Sequence, residues 1–313
     1  MEQANTQSNW SLSICIPAYN AAALLRRCLD SIVQQTIQPD EVIITDDSTD
    51  DKTRTLAQLY RQWLPIKYEH HENALGSPAN WNRGLSLAKG KWVMVLHQDD
   101  WFSSPKSIDY LMHAAMPHPE IDFVFGMIEP DEKPEEIEKI PSKIRLLAGK
   151  PELILMQNLI GPPSNVMFWN RQEYFDENLF WVVDFEMYFR WLKEGRVFNY
   201  IPTKVVEIGR HEQQITAYCD LHPEVKLREN AYLLSKHEKK INIDIQLYDY
   251  YWRQIRNTAA SISAAEMKQL SQHFPRLMQQ QWERQQRLSA ENLQKGWFSK
   301  IMMIFSWLKN IRS

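Results

Sequence analysis

The stretch "HQDDW" (97–101) sets Asp99 beside Asp100 directly after an apolar run, "WVMVL" (92–96). Two adjacent carboxylates at the end of a buried strand repel each other, and loss of hydration works against both. A cation or solvent must therefore meet them. The stretch "TDDSTDD" (45–51) gathers four more aspartates around Ser48 and Thr49. These types either read a ligand N–H or cap the helix that follows. A further carboxylate, Asp184, lies in "WVVDFEMYF" (181–189). Trp181, Val182 and Phe185 give it an apolar setting that would raise its pKa, and taken alone it reads as a helix cap. His211 in "RHEQQIT" (210–216), taken alone, reads as a solvent-facing imidazole.

Composition narrows the chemistry. The chain has 313 residues and a net charge of -3, which offers no electrostatic case for nucleic acid as a partner. Its three cysteines form no CxxC pair, which argues against a disulfide scaffold or a zinc site and suits a reducing cytoplasm. Only nine glycines occur, and none builds GxGxxG, GxxxxGK[ST] or GxSxG, while "RHEQQIT" carries Ile215 where a zincin needs its second histidine. The N-terminus lacks the basic and apolar regions of a signal peptide, and no apolar run approaches the ~20 residues of a spanning helix. A cytoplasmic location is expected.

Residues 12–127 must position these groups. "LSICIP" (12–17), "EVIITD" (41–46), "IKYEH" (66–70), "KWVMVL" (91–96) and "IDFVFG" (121–126) read as strands. Amphipathic stretches at 22–35, 51–63 and 78–89 read as helices between them. This alternation predicts an α/β layer with a mainly parallel sheet, whose ligands bind at the carboxyl ends of the strands. Those ends carry "PAYN" (17–20), "TDDSTDD" and "HQDDW". Residues 129–142 read as an acidic, proline-rich loop. A helix near 150–158, a strand at 165–169, a helix at 184–195 and strand pairs up to Gly209 follow. Beyond about 220 the chain reads as helical.

"PAYN", the acidic end of the second strand, "NWNRGLSLAKGKWVMVLHQDD" (80–100), "VDFEMYFRWLKEG" (183–195) and "GRHEQQIT" (209–216) occur in the order found in one family. Here the chain resembles the family 2 glycosyltransferases of the GT-A fold, over about 12 to 216. The resemblance implies a mainly parallel mixed sheet flanked by helices, with a GT-A domain over 1–215 and a helical C-terminal extension over 216–313. It implies that Pro17, Tyr19 and Asn20 line a nucleotide pocket and that Asp47 accepts from the base. Asn80 and Arg83 share a helix face; Arg83 either meets a donor phosphate or bridges to a nearby carboxylate. Asp99 and Asp100, with His211 in some relatives, would hold Mn²⁺ or Mg²⁺ on the donor diphosphate, one of the two aspartates meeting the ribose. Asp184 would be the base. Two departures stand out: His97 replaces the first Asp of the usual L-D-x-D-D, and Val183 replaces the Glu before Asp184. His97 reads as a packed histidine in preference to a ligand.

The implied reaction is inverting transfer of a sugar from a nucleotide-diphosphate donor to a hydroxyl of a glycan or lipid-linked acceptor in surface polysaccharide synthesis. Two other readings compete. Sugar-1-phosphate nucleotidyltransfer wants a glycine-rich phosphate loop, which "CIPAYNAAA" (15–23) lacks. A non-catalytic nucleotide-sugar-binding protein has no reason to keep Asp47, Asp99, Asp100 and Asp184 together. The segment 297–312 places Trp297, Ile301, Ile304, Phe305, Leu308 and Ile311 on one helix face, with Ser299, Ser306 and Asn310 opposite. It reads as a peripheral anchor at the inner membrane face or as a helix docked on its own domain or a partner subunit. The glutamine-rich helix before it (277–294) reads as a solvated spacer.

Overall fold

The structure, a computed structural model, describes residues 10–116, 119–128, 141–210 and 214–311. The chain forms two compact units. The first takes the described residues of Met1–Gly149, Asn158–Asn178 and Arg190–His211; the second takes Lys150–Gln157, Leu179–Phe189 and the described residues of Glu212–Ser313.

Among the described residues, all strands belong to the first unit: β1 (Leu12–Ala18), β2 (Glu41–Asp46), β3 (Ile66–His70), β4 (Trp92–Val95), β5 (Trp101–Phe102), β6 (Ile121–Gly126), β7 (Val166–Trp169), β8 (Val197–Ile201) and β9 (Val206–Glu207). Seven form one mixed sheet in the order β3-β2-β1-β4-β7-β6-β8, in which only β7 runs antiparallel to its neighbours. β5 and β9 pair separately. Every residue of β1 and β2 is buried, as expected of central parallel strands covered on both faces. The helices α1 (Ala22–Val33), α2 (Lys52–Tyr60), α3 (Ala79–Leu87), α4 (Ser107–Ala115) and α5 (Ser142–Leu146) belong to the same unit. α1 shows why they pack: Leu25, Cys28, Leu29 and Ile32 recur at i, i+3, i+4 and i+7, and all are fully buried. Burial of each such leucine or isoleucine contributes roughly 1.5–3 kcal/mol.

Strand order reverses between β1 and β4. β2 and β3 follow on one side of β1, and β4 opens the other. The loops leaving β1 and β4 therefore part at the sheet's switch point, where open α/β sheets hold their ligands.

The second unit is helical, with α6 (Leu153–Met156), the first part of α7 (Val183–Lys193), α8 (Ile215–Leu221), α9 (Pro223–Lys236), α10 (Ile245–Ser261), α11 (Ala264–Ser271), α12 (Arg276–Gln286), α13 (Ala290–Gln294) and α14 (Gly296–Ile311). Tyr248, Trp252, Leu293 and Met303 centre its core. The expected solvated spacer is corrected here. Gln281 and Gln285 of α12 are buried because their amides donate to the Tyr248 and Trp252 carbonyls of α10 at 2.9 and 3.0 Å. No helix among the described residues is long and apolar enough to cross a membrane.

Candidate active site

The loop after β1 is tied to the loop after β2. Asn20 adopts a left-handed backbone (φ 44°), a region that asparagine tolerates better than most residues. Its N–H donates to Ser48 Oγ at 2.8 Å, and its side-chain oxygen accepts from the Thr49 N–H at 2.9 Å. Asp47 N–H donates to the Ala18 carbonyl at 3.0 Å. Pro17, Tyr19, Asn20 and Asp47 are thus brought together, with the Tyr19 ring exposed.

Asp47 is buried, and each carboxylate oxygen already has a partner: His71 Nδ1 at 2.9 Å and the Gly76 N–H at 2.9 Å. The other nitrogen of His71 faces Glu69 Oε1 at 3.2 Å. Glu69 in turn receives Arg83 through Nε at 2.6 Å and a terminal nitrogen at 2.9 Å, a two-pronged pair. Arg83 therefore reaches Asp47 through Glu69 and His71, and its guanidinium bridges a carboxylate. Asn80 sits beneath the surface, 4% exposed. It exchanges bonds with Thr45 that fasten α3 to the end of β2, and its Oδ1 is buried with no partner.

Across the switch point, Gln98 bonds the Tyr19 backbone twice: it accepts from the N–H and donates to the carbonyl, both at 3.0 Å. The turn that follows brings His97, Asp99 and Asp100 together, with one candidate ligand atom from each within 4.8 Å of the others. Asp100 is 2% exposed and accepts the Gly209 N–H at 2.9 Å. Burial, then the charge of Asp99, pushes its carboxyl up to about 7 against the bonds from Ser164 and Gly209. His97 Nδ1 lies 3.9 Å from Asp100 Oδ2, and its ring lies 4.6 Å from that of Trp81. Burial lowers the imidazole's pKa, and its Nε2 is buried without a partner. A divalent cation fits these residues. Two carboxylates and a neutral imidazole are the oxygen and nitrogen donors that Mn²⁺ accepts, and a cation relieves the repulsion that raises Asp100. His97, expected as a packed histidine, is both packed and within reach of such an ion. His211 lies outside the described residues.

Gln98, Arg27 and Gly209 also build this site, and sequence reasoning missed them. Arg27 of α1 stacks on Trp101, its guanidinium carbon 3.4 Å from the ring centroid, and donates to the Asp99 carbonyl at 3.2 Å. Gly209 approaches so closely that a Cβ there would lie 2.2 Å from that same carbonyl oxygen. The doubled arginine of "LLRRCL" (24–29) was the signal available for Arg27.

In the second unit, Asp184 is half-buried in the first turn of α7, with Trp181 and Phe185 nearby at a ring separation of 5.8 Å. It is not the N-cap. The buried carboxylate of Glu229 takes the N–H groups of Phe180, Trp181 and Val182 at 2.9, 2.8 and 3.0 Å. Glu229 thereby holds the residues that lead into α7.

Comparisons with known proteins agree with this architecture. The family model described as Glycosyl transferase family 2 matches residues 13–179, more than half of the chain. An "Uncharacterized glycosyltransferase" of Haemophilus influenzae is 29% identical over 150 residues, 48% of this chain and 50% of that protein. "PGL/p-HBAD biosynthesis glycosyltransferase" of Mycobacterium bovis is 32% identical over 115 residues, 36% of this chain and 45% of that one. The matches thus span half or less of these relatives' lengths. Among solved structures, the mannosyltransferase PcManGT of Pyrobaculum calidifontis, in complex with GDP-Man and Mn²⁺, aligns at a TM-score of 0.54 and 14% identity, covering 96% of this chain and 87% of that one. TarS 1-349 of S. aureus, in complex with UDP-GlcNAc, aligns at 0.53 and 16%, covering 88% and 92%. At such identities these likenesses speak for the fold alone, and the fold is GT-A. The match over 13–179 takes in both the loop after β1 and the turn after β4, and the chain belongs to glycosyl transferase family 2.

Proposed function

We propose that the chain is an inverting, metal-dependent transferase. It moves a hexosyl or hexosaminyl group from a nucleotide-diphosphate donor, a UDP-sugar, to a hydroxyl of a glycan or lipid-linked acceptor in surface polysaccharide synthesis. It works from the cytoplasm at the inner membrane face, touching it through 297–312. The observation that carries this reading is the grouping of Asp99, Asp100 and His97 at the switch point. The nucleotide sugars bound by PcManGT and TarS, and the Mn²⁺ in the former, support it.

In this reading Tyr19 lies against the nucleoside, and Asn20, Asp47, Asn80 and Arg83 shape the pocket behind it. Asp99 and Asp100, with His211, would hold Mn²⁺ or Mg²⁺, which when bound would supply Lewis-acid stabilisation of the leaving diphosphate. Asp184 takes the proton of the acceptor hydroxyl while that oxygen attacks the anomeric carbon from the face opposite the diphosphate. The glycosidic bond forms as the bond to the diphosphate breaks, through an oxocarbenium-like sugar.

The test is thermal stabilisation of the full chain by UDP, with Mn²⁺ and with EDTA. Stabilisation in Mn²⁺ that disappears in EDTA and in Asp100→Asn is expected, because ligand binding raises stability by mass action. Equal stabilisation in EDTA would overturn the metal assignment.

A further inference from the structure

The last helix docks through polar as well as apolar residues. α14 turns its serines inward: Ser299 is 1% exposed and Ser306 4%. Ser299 accepts from Trp252 Nε1 and Arg256, both at 3.1 Å. Ser306 shares a 2.6 Å bond with the Tyr248 hydroxyl and accepts from Arg284 at 2.6 Å. Met303 fills the space between these polar anchors, 2% exposed. The apolar row Trp297, Ile301, Phe305 and Leu308 is left outside, Trp297 at 68% and Phe305 at 57%. Ile304 departs from the expected row and packs in part against the core. Met303, with Met302, Ile304 and Trp307 packed in part against the same core, docks this helix together with the serine anchors, while the row from Trp297 to Leu308 remains in water, where such a contiguous patch marks an interaction site.

Beside that row lies a cleft of about 430 Å³ between α10 and α14. Its charged lining is Arg253, Arg256 and Lys300 against the single carboxylate of Asp249. Asp249 is engaged by Arg253 at 3.0 Å. Among the described residues, the hydrogen bonds of Arg256 go to neutral oxygens, those of Asn257 and Ser299, with Asp249 attracting it from a distance. Burial, then the neighbouring Arg253, lowers its pKa, so an anion would be welcome there. The lining includes Gly296, where α14 begins and its N–H groups concentrate positive potential. Lys300 belongs both to the cleft and to the rim of the apolar row.

We propose that α14 lies in the interfacial layer of a bilayer, its outward row among the acyl chains, and that the cleft holding Arg253, Arg256 and Lys300 seats the phosphate of an anionic phospholipid. Charge complementarity selects this occupant. An apolar strip edged by lysine and opening beside a cationic cleft matches the two halves of such a lipid. The proposal rests on the membrane contact read for 297–312 and assigns that contact a headgroup site.

Sedimentation of the full chain with vesicles of phosphatidylcholine, alone or mixed with phosphatidylglycerol, tests both levels. Attachment to the mixed vesicles should be roughly tenfold stronger or more and should weaken with salt. The double variant Arg253→Gln, Lys300→Gln should bind both kinds of vesicle alike, at the neutral level. The variant Trp297→Ser, Phe305→Ser should release the chain from both while its melting temperature is kept, since both side chains are exposed. If mixed and neutral vesicles bind equally and the Arg253/Lys300 variant changes nothing, the headgroup site is overturned while the membrane contact stands. If no vesicle binds and the full chain self-associates through Trp297 and Phe305, the row joins copies of the chain and both readings fall. Stabilisation by inorganic phosphate without vesicle attachment would also overturn the lipid site, making the cleft a receptor for a soluble anion.

Discussion

Gly209 holds Asp100 by one hydrogen bond of 2.9 Å while its Cα rests against the carbonyl of Asp99. The two carboxylates therefore depend on a residue more than a hundred positions away. Because a Cβ at 209 would meet that oxygen at 2.2 Å, Gly209→Val must push the Asp99–Asp100 turn aside. Loss of an outer-shell partner costs about 10–100-fold in metal affinity, and a reduction of that size is expected for Mn²⁺ titrated into the variant. Unchanged affinity would show that the turn does not need its neighbour.

Asp184→Asn should retain nucleotide-diphosphate binding and lose roughly 100-fold or more in turnover, the scale of a positioned base. Single-turnover kinetics with the acceptor, alongside donor titration, separates the two effects. Full turnover would reduce Asp184 to a first-turn acid of α7.

Glu229→Gln removes the negative charge that accepts three backbone N–H groups and leaves one oxygen to serve them. Buried donors without partners cost about 1–3 kcal/mol each, so chemical denaturation should show a loss of about 2 kcal/mol or more. Phe180 to Val182 should also gain the fastest amide exchange. A variant as stable as the parent would mean that water replaces the carboxylate.

Glu41 offers a pH test. Burial raises its carboxyl, but the bonds from Lys67, Ser13 and the Lys89 N–H outweigh burial and hold it below the ordinary value of 4.5. A depressed folded-state pKa contributes stability that is present above pH 4.5 and is lost as the pH falls through the lower value. The stability gap between the parent chain and Glu41→Gln should be widest near neutrality and close on acidification. A gap that widens in acid would reverse this assignment.

Much of the first unit was legible because its signals are periodic. β1, β2, β4 and β6 lie within a residue or two of their apolar runs, since strands buried on both faces read as unbroken hydrophobic segments. The edge strand β3, with only Ile66 buried, was legible from its place in the alternation of strands and helices. β5 was not legible, since two residues carry no period, whereas β9 falls within the strand pairs expected up to Gly209. The carboxylates of the site stood out through type and position at strand ends. Gly209 and Glu229 did not, because their roles arise from distant backbone that only the folded chain supplies. The α12 glutamines misled for a related reason. Composition marks them as solvated, and two carbonyls of α10 make burial affordable.

The pair of hydrogen bonds between Gln98 and the Tyr19 backbone imitates the contact that one more residue of strand pairing would make. β1 and β4 are thus stitched beyond the point where their ladder stops, by an amide that can be removed without touching the backbone. On the proposed function, a nucleoside arriving at Tyr19 would meet a loop whose conformational freedom has already been surrendered during folding. Cutting the stitch with Gln98→Ala would return that freedom, and the deficit would appear as slower capture and a larger unfavourable entropy of association.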